Sequence, residues 1–140
     1  MACRQDARMS PPTLVAFDAL CARLVRVVEP QLGVTELEPY YVEFLNFLST
    51  HADERALLAA RIMEIMGAYR SNRARKQPLL PISAIAYAMH ELRWPEVLEF
   101  AERENAVFYA RTKSTFMTSL IDAFDDAWED RTFYRRFAVE

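Results

Sequence analysis

Apolar positions recur at three- and four-residue steps through most of this chain, the period of helices with one buried face. The clearest stretch runs from Pro78 to Glu104. There Ile82, Ile85, Ala86, Met89 and Leu92 share one helical side, and Val97, Leu98, Phe100 and Ala101 form the next. Trp94-Pro95 stands between them. Proline has no amide donor and restricts the residue before it, so the first helix should end near Arg93. The same proline suits the first position of a second helix, with Glu96 near the positive end of its dipole. The pattern predicts a helical hairpin closed by a tight corner.

Upstream, residues 1–9 show no periodicity and are expected to be disordered. Ser10-Pro11-Pro12 signals a helix start, and Leu14, Phe17, Leu20, Cys21, Leu24 and Val28 continue one face until Pro30 and Gly33 end it. Thr35 and Glu38 have capping-box spacing, with Pro39 as an alternative first helical position. A second helix then carries Tyr40, Tyr41, Phe44, Leu45, Phe47 and Leu48. After a polar break at 49–53, Leu58, Ile62, Ile65, Met66 and Tyr69 stripe a third, with Glu54, Arg55, Arg61 and Glu64 on its wet side. Residues 70–77 hold no apolar side chain but Ala74 and read as a loop.

Beyond Glu104, Arg111 to Thr115 reads as a soft break. Phe116, Leu120, Phe124 and Trp128, at four-residue steps, predict a last helix, and Phe133, Tyr134 and Phe137 make the following segment apolar enough to dock. The expectation is an all-α fold: one compact domain over residues 10–140, six or seven short-to-medium helices, arranged as hairpins in a bundle or a HEAT-like stack.

Composition agrees with that class. Only two glycines occur in 140 residues, too few for the turns of an all-β protein. Two cysteines, one of them near the N-terminus, argue against a structural disulfide and for a reducing, cytoplasmic setting. No apolar run reaches the length of a membrane span, and Asp18 and Arg23 interrupt the one candidate signal-peptide core. Arginine outnumbers lysine fifteen to two, a bias that GC-rich bacterial genomes produce. The formal charge of −3 is uneven, +1 over residues 1–76 and −4 over 77–140, which counts against a general affinity for nucleic acid.

Candidate chemistry is sparse. His51 falls in a loop, and His90 sits inside a helix beside Glu91 without the second histidine of a zinc motif. Cys21 belongs to an apolar face, where a thiol is inert. No glycine-rich turn supports a nucleophile elbow or a phosphate cradle. The residues therefore point away from an enzyme, with no cofactor and no metal. Glu96, Glu99 and Glu102 fit a salt-bridged surface with Arg93 and Arg103. The basic cluster Arg70, Arg73, Arg75 and Lys76 has no aromatic interleaving and reads as a solvated connector rather than a phosphate site.

One cluster stands apart: Asp122, Asp125, Asp126, Glu129 and Asp130 within nine residues. On a helix the first four share a side, while Phe124 and Trp128 point elsewhere. Like charges three and four apart repel, and acids near a helix C-terminus oppose its dipole, so a helix holding them carries a small penalty. Either the acids attract a cationic partner, or Arg131, Arg135 and Arg136 fold back and neutralise them. The first alternative makes Asp122, Asp125, Asp126, Trp128 and Glu129 a partner-binding face. The favoured expectation is a helical protein-binding module of the immunity or antitoxin kind, capping a basic toxin such as a nuclease. The runner-up is a helical adaptor docking a protein through the 78–104 hairpin. A nucleic-acid-binding regulator using residues 70–76 comes third.

Overall fold

The computed structural model describes residues 11–28, 33–75, 80–112 and 117–137. Among them six α-helices and two 3-10 segments follow one another, with no strand. The helices are α1 (Pro12–Val28), α2 (Val34–Thr50), α3 (Arg55–Arg75), α4 (Ile82–Leu92), α5 (Pro95–Thr112) and α6 (Thr118–Asp122). The 3-10 segments span Ala52–Glu54 and Glu129–Phe133. The fold is the all-α bundle that the periodicity predicts; residues 1–9 lie outside the described set.

Helix α4 is the centre. It packs against α2 on one side and α6 on another, while α1 lies on α2 and α3, and α5 bridges α3 and α6. Ala84, Ile85, Ala86, Tyr87, Ala88 and Met89 are all buried, so this helix has almost no wet side. Its three alanines let neighbouring helices approach, and Tyr87 supplies the bulk. Around it the predicted stripes are in place: Phe17, Leu20, Cys21 and Leu24 from α1, Tyr41, Phe44, Leu45 and Leu48 from α2, and Leu58, Ile62 and Met66 from α3. Burial, with the Asp18 charge nearby, pushes the Cys21 thiol up to about 12 and keeps it an unreactive core residue.

The Trp94-Pro95 corner forms as expected. Arg93 caps α4 in the left-handed region, with φ 53° and ψ 45°, and its amide donates to the Met89 carbonyl at 2.8 Å. Pro95 opens α5. Trp94 is buried, and the Arg55 guanidinium lies 5.4 Å from its ring centre while forking onto Glu96 at 2.7 and 3.0 Å. Glu96 thus belongs to a corner brace between α3 and α5, paired with Arg55 while Arg103 takes Glu99 and Arg93 takes Asp126, and Arg55 holds it below the ordinary glutamate range.

Three boundaries differ from the sequence reading. Helix α2 begins after Gly33 with no side-chain cap, and Pro39 lies inside it. Helix α3 runs on through Arg75, where a loop was expected from residue 70. That stretch holds no apolar residue but Ala74, yet it also lacks proline and glycine, and arginine and alanine favour helix whether or not a face is buried. The side chains of Arg70, Arg73, Arg75 and Lys76 lie outside the described residues. The third difference, in the last helix, shapes the candidate site.

Candidate protein-binding site

The predicted helix from Phe116 to Trp128 stops at Asp122. The chain then winds through turns at 123–127 and re-forms as a 3-10 segment at Glu129. The repulsion among Asp122, Asp125 and Asp126 and their opposition to the helix dipole both disfavour carrying the helix through them. Asp125 contributes directly. Its Oδ1 accepts the Ala127 amide at 2.9 Å, a local alternative to the helical bond. The acids therefore do not form a helical face, and the expectation of one is corrected.

Arg93 fixes the turn that replaces the helix. Its Nε donates to the His90 carbonyl at 2.7 Å, Nη1 to the Phe124 carbonyl at 2.9 Å and Nη2 to Asp126 Oδ1 at 2.8 Å. One guanidinium thus ties the end of α4 to the chain leaving α6. His90 adds a bond from Nδ1 to the Ala123 carbonyl at 2.7 Å, which requires that nitrogen to carry the hydrogen. Arg93 also lowers the Asp126 carboxyl below its usual value.

Asp126 is consequently separated from the other acids. Asp122, Asp125, Glu129 and Asp130 instead gather round a surface groove of about 420 Å³, with Thr118, Ser119 and Trp128 in its walls. Asp130 accepts the Ser119 hydroxyl at 3.3 Å. Asp122, Asp125 and Glu129 are exposed, and no described ion pair engages them. Asp130, a member of the acidic cluster but not of the expected partner-binding face, takes a place in the groove that Asp126 does not.

Trp128 has a different place from the one expected. Its side chain is 3% exposed, with the ring 5.0 Å from His90 and stacked on Tyr134 at 6.0 Å. It anchors the loop from beneath, while Phe133, 64% exposed, is the aromatic that the 3-10 segment leaves in solvent. In a 3-10 helix residues three apart share a face, so Phe133 follows Asp130 on the same side.

Arg131 and Arg136 direct their guanidinium groups elsewhere. Arg131 Nη1 donates to the Trp128 carbonyl at 2.8 Å. Arg136 forks onto Glu91 at 2.8 and 3.0 Å, and holds that carboxyl below its ordinary value. The amides of Arg135 and Arg136 donate to the buried Glu38 at 2.8 and 3.0 Å. Glu38 is the polar residue most clearly missed by sequence reasoning, which placed it in a capping box; it lies inside α2 and faces Tyr87.

Among the described residues no three of His, Cys, Asp or Glu converge as metal ligands, and no helix is long and apolar enough to cross a membrane. Comparison with protein-family models, with curated proteins and with solved structures gives no match.

Proposed function

We propose that this chain is a non-enzymatic protein-binding module that neutralises a cationic partner, in the manner of a bacterial immunity or antitoxin protein acting on a basic toxin such as a nuclease. One observation carries the reading. Four carboxylates rim a groove, and two of the nearby guanidinium groups turn away from it, that of Arg131 to the Trp128 carbonyl and that of Arg136 to Glu91. An unneutralised anionic surface steers a basic partner at long range and rejects acidic ones. The neighbouring exposed Phe133 offers apolar contact beside the charge, an aromatic of the kind enriched in interface cores, with the acids suited to a polar rim. The adaptor alternative draws less support, because α4 of the 78–104 hairpin is buried almost throughout.

Affinity capture from a lysate of the source organism tests it, with the wild type set against an Asp122→Asn, Asp125→Asn, Glu129→Gln triple variant. The proposal expects a basic toxin retained by the wild type at low salt, lost at high salt, and absent from the variant. Identical retention by both proteins would overturn it.

A further inference from the structure

The segment after Trp128 is fastened to the bundle as a bound peptide is. Glu38 Oε1 accepts the Arg135 amide and Oε2 the Arg136 amide, while the Tyr87 hydroxyl donates to Oε2 at 2.7 Å. The Arg136 guanidinium takes Glu91 through two bonds. The Tyr134 ring lies 4.8 Å from Tyr87 and 6.2 Å from Tyr41, and the Phe137 ring lies 4.8 Å from Tyr87 and 4.6 Å from His90. Four successive residues are thus read in turn: a ring, an amide, an amide with its guanidinium, and a second ring. Main-chain amides held by a fixed acceptor, with side-chain pockets on either side, are a means by which grooves hold peptides, and here the peptide is held as a turn in which the Phe137 amide donates to the Tyr134 carbonyl at 3.2 Å.

Two further features make this segment separable. Arg93 and His90 hold the preceding turn through Ala123, Phe124 and Asp126, bonds that involve no residue of the segment. Arg135 and Arg136 are exposed and Phe137 is half-buried, while Tyr134 is a buried core ring, so opening the segment uncovers one core side chain at the end of the described chain and leaves the rest of the bundle packed.

We propose that the groove between α2 and α4, formed by Glu38, Tyr41, Tyr87, His90 and Glu91, is a peptide-docking site whose resting occupant is the chain's own Tyr134-Arg135-Arg136-Phe137, and that it accepts the same four residues from a second copy by exchange. A second copy is the occupant because it brings every group that the groove already satisfies, and exchange of an identical element creates an interface without new contacts. In the single molecule the tethered segment competes at an effective concentration on the order of millimolar, which keeps the protein monomeric when dilute.

The test mixes two full-length variants. Glu38→Gln sets an amide donor against a donor in its own groove but keeps a good segment. Tyr134→Ala with Phe137→Ala keeps a good groove but loses the rings. Mixed, the first should lend its segment to the second, giving a heterodimer by sedimentation at concentrations where each variant alone remains monomeric. Absence of a heterodimer while both variants keep a helical spectrum would overturn the proposal. Hydrogen exchange on the wild type decides the matter if a variant fails to fold. The Arg135 and Arg136 amides should exchange at least ~10-fold faster than those of α4, as a locally opening segment does. Exchange at the α4 rate would make the segment inseparable from the core and the proposal wrong.

Discussion

The Tyr87 hydroxyl donates to the Glu38 carboxylate at 2.7 Å, joining α4 to α2 across 49 residues of sequence. Tyr87 is fully buried and Glu38 is 6% exposed. Burial alone would raise the Glu38 carboxyl. The bonds from Tyr87 and from the Arg136 and Arg135 amides outweigh it and hold the group below the ordinary 4.5. Burial, reinforced by that carboxylate, pushes the Tyr87 phenol up.

The pH dependence of stability follows in sign. A carboxyl whose folded value lies below 4.5 contributes fully above 4.5, and the contribution is lost as pH falls through the folded value. Urea midpoints should therefore be flat from neutrality to about pH 5 and should fall below that. Glu91 and Glu96 shift in the same direction, but solvent screening makes their share small. Glu38→Gln should lower the neutral midpoint and flatten the acid limb. An acid limb unchanged in that variant would remove Glu38 as its main source.

Trp94→Ala should destabilise the fold by roughly 3–5 kcal/mol, the usual cost of truncating a large buried aromatic. The same change removes the ring that Arg55 covers. A loss below about 1 kcal/mol in denaturant unfolding would contradict the burial of the indole.

Arg93 combines a left-handed backbone with three side-chain bonds. Arg93→Ala keeps the backbone cost and removes the bonds, for a loss of about 2–3 kcal/mol. Arg93→Gly removes the bonds as well but relieves the conformational cost, so it should lose about 1 kcal/mol less. Equal losses by chemical denaturation would show that the positive φ carries no penalty here.

Gly67 lies in the interior of α3, and a Cβ there would meet only Phe100 Cζ, at 3.5 Å, an ordinary contact. Gly67→Ala should stabilise the protein by about 0.5–1 kcal/mol through helix propensity and a less flexible unfolded chain. A lower melting temperature would place an unseen constraint at the α3–α5 contact.

Replacing Asp122, Asp125 and Glu129 with their amides should leave the melting temperature unchanged or slightly higher, since repulsion is relieved and no described ion pair is broken. Asp126→Asn should lower it, because Arg93 loses a charged partner. A matching fall in the triple variant would assign those acids to the fold instead of to a partner.

The helices were legible where burial and period coincide. Phe17, Leu24, Ile62, Met89 and Val97 announce their faces, and Trp94-Pro95 announces the corner. The site was legible only as a local density of acids. Its shape depends on where α6 stops, and Phe124 and Trp128 keep a helical spacing in a segment that is not helical. Nothing local marks Arg93 as the residue that holds that turn, because its partners lie 31 and 33 residues away. Glu38 was hidden for the same reason: its spacing from Thr35 offered a local use, and its actual partners come from α4 and from the segment after Trp128.

The central position of α4 has a consequence for the order of synthesis. Its neighbour α2 precedes it, as do α1 and α3, whereas its other neighbour α6 follows it, with α5 and the residues up to Phe137. At ~5–20 residues per second the ribosome needs several seconds to supply those later coverings. During that interval Tyr87 and Met89 belong to a nascent chain whose lid has not yet been made. The newborn protein is thus stickiest just after its innermost helix appears, and a shortage of chaperone would show itself there first.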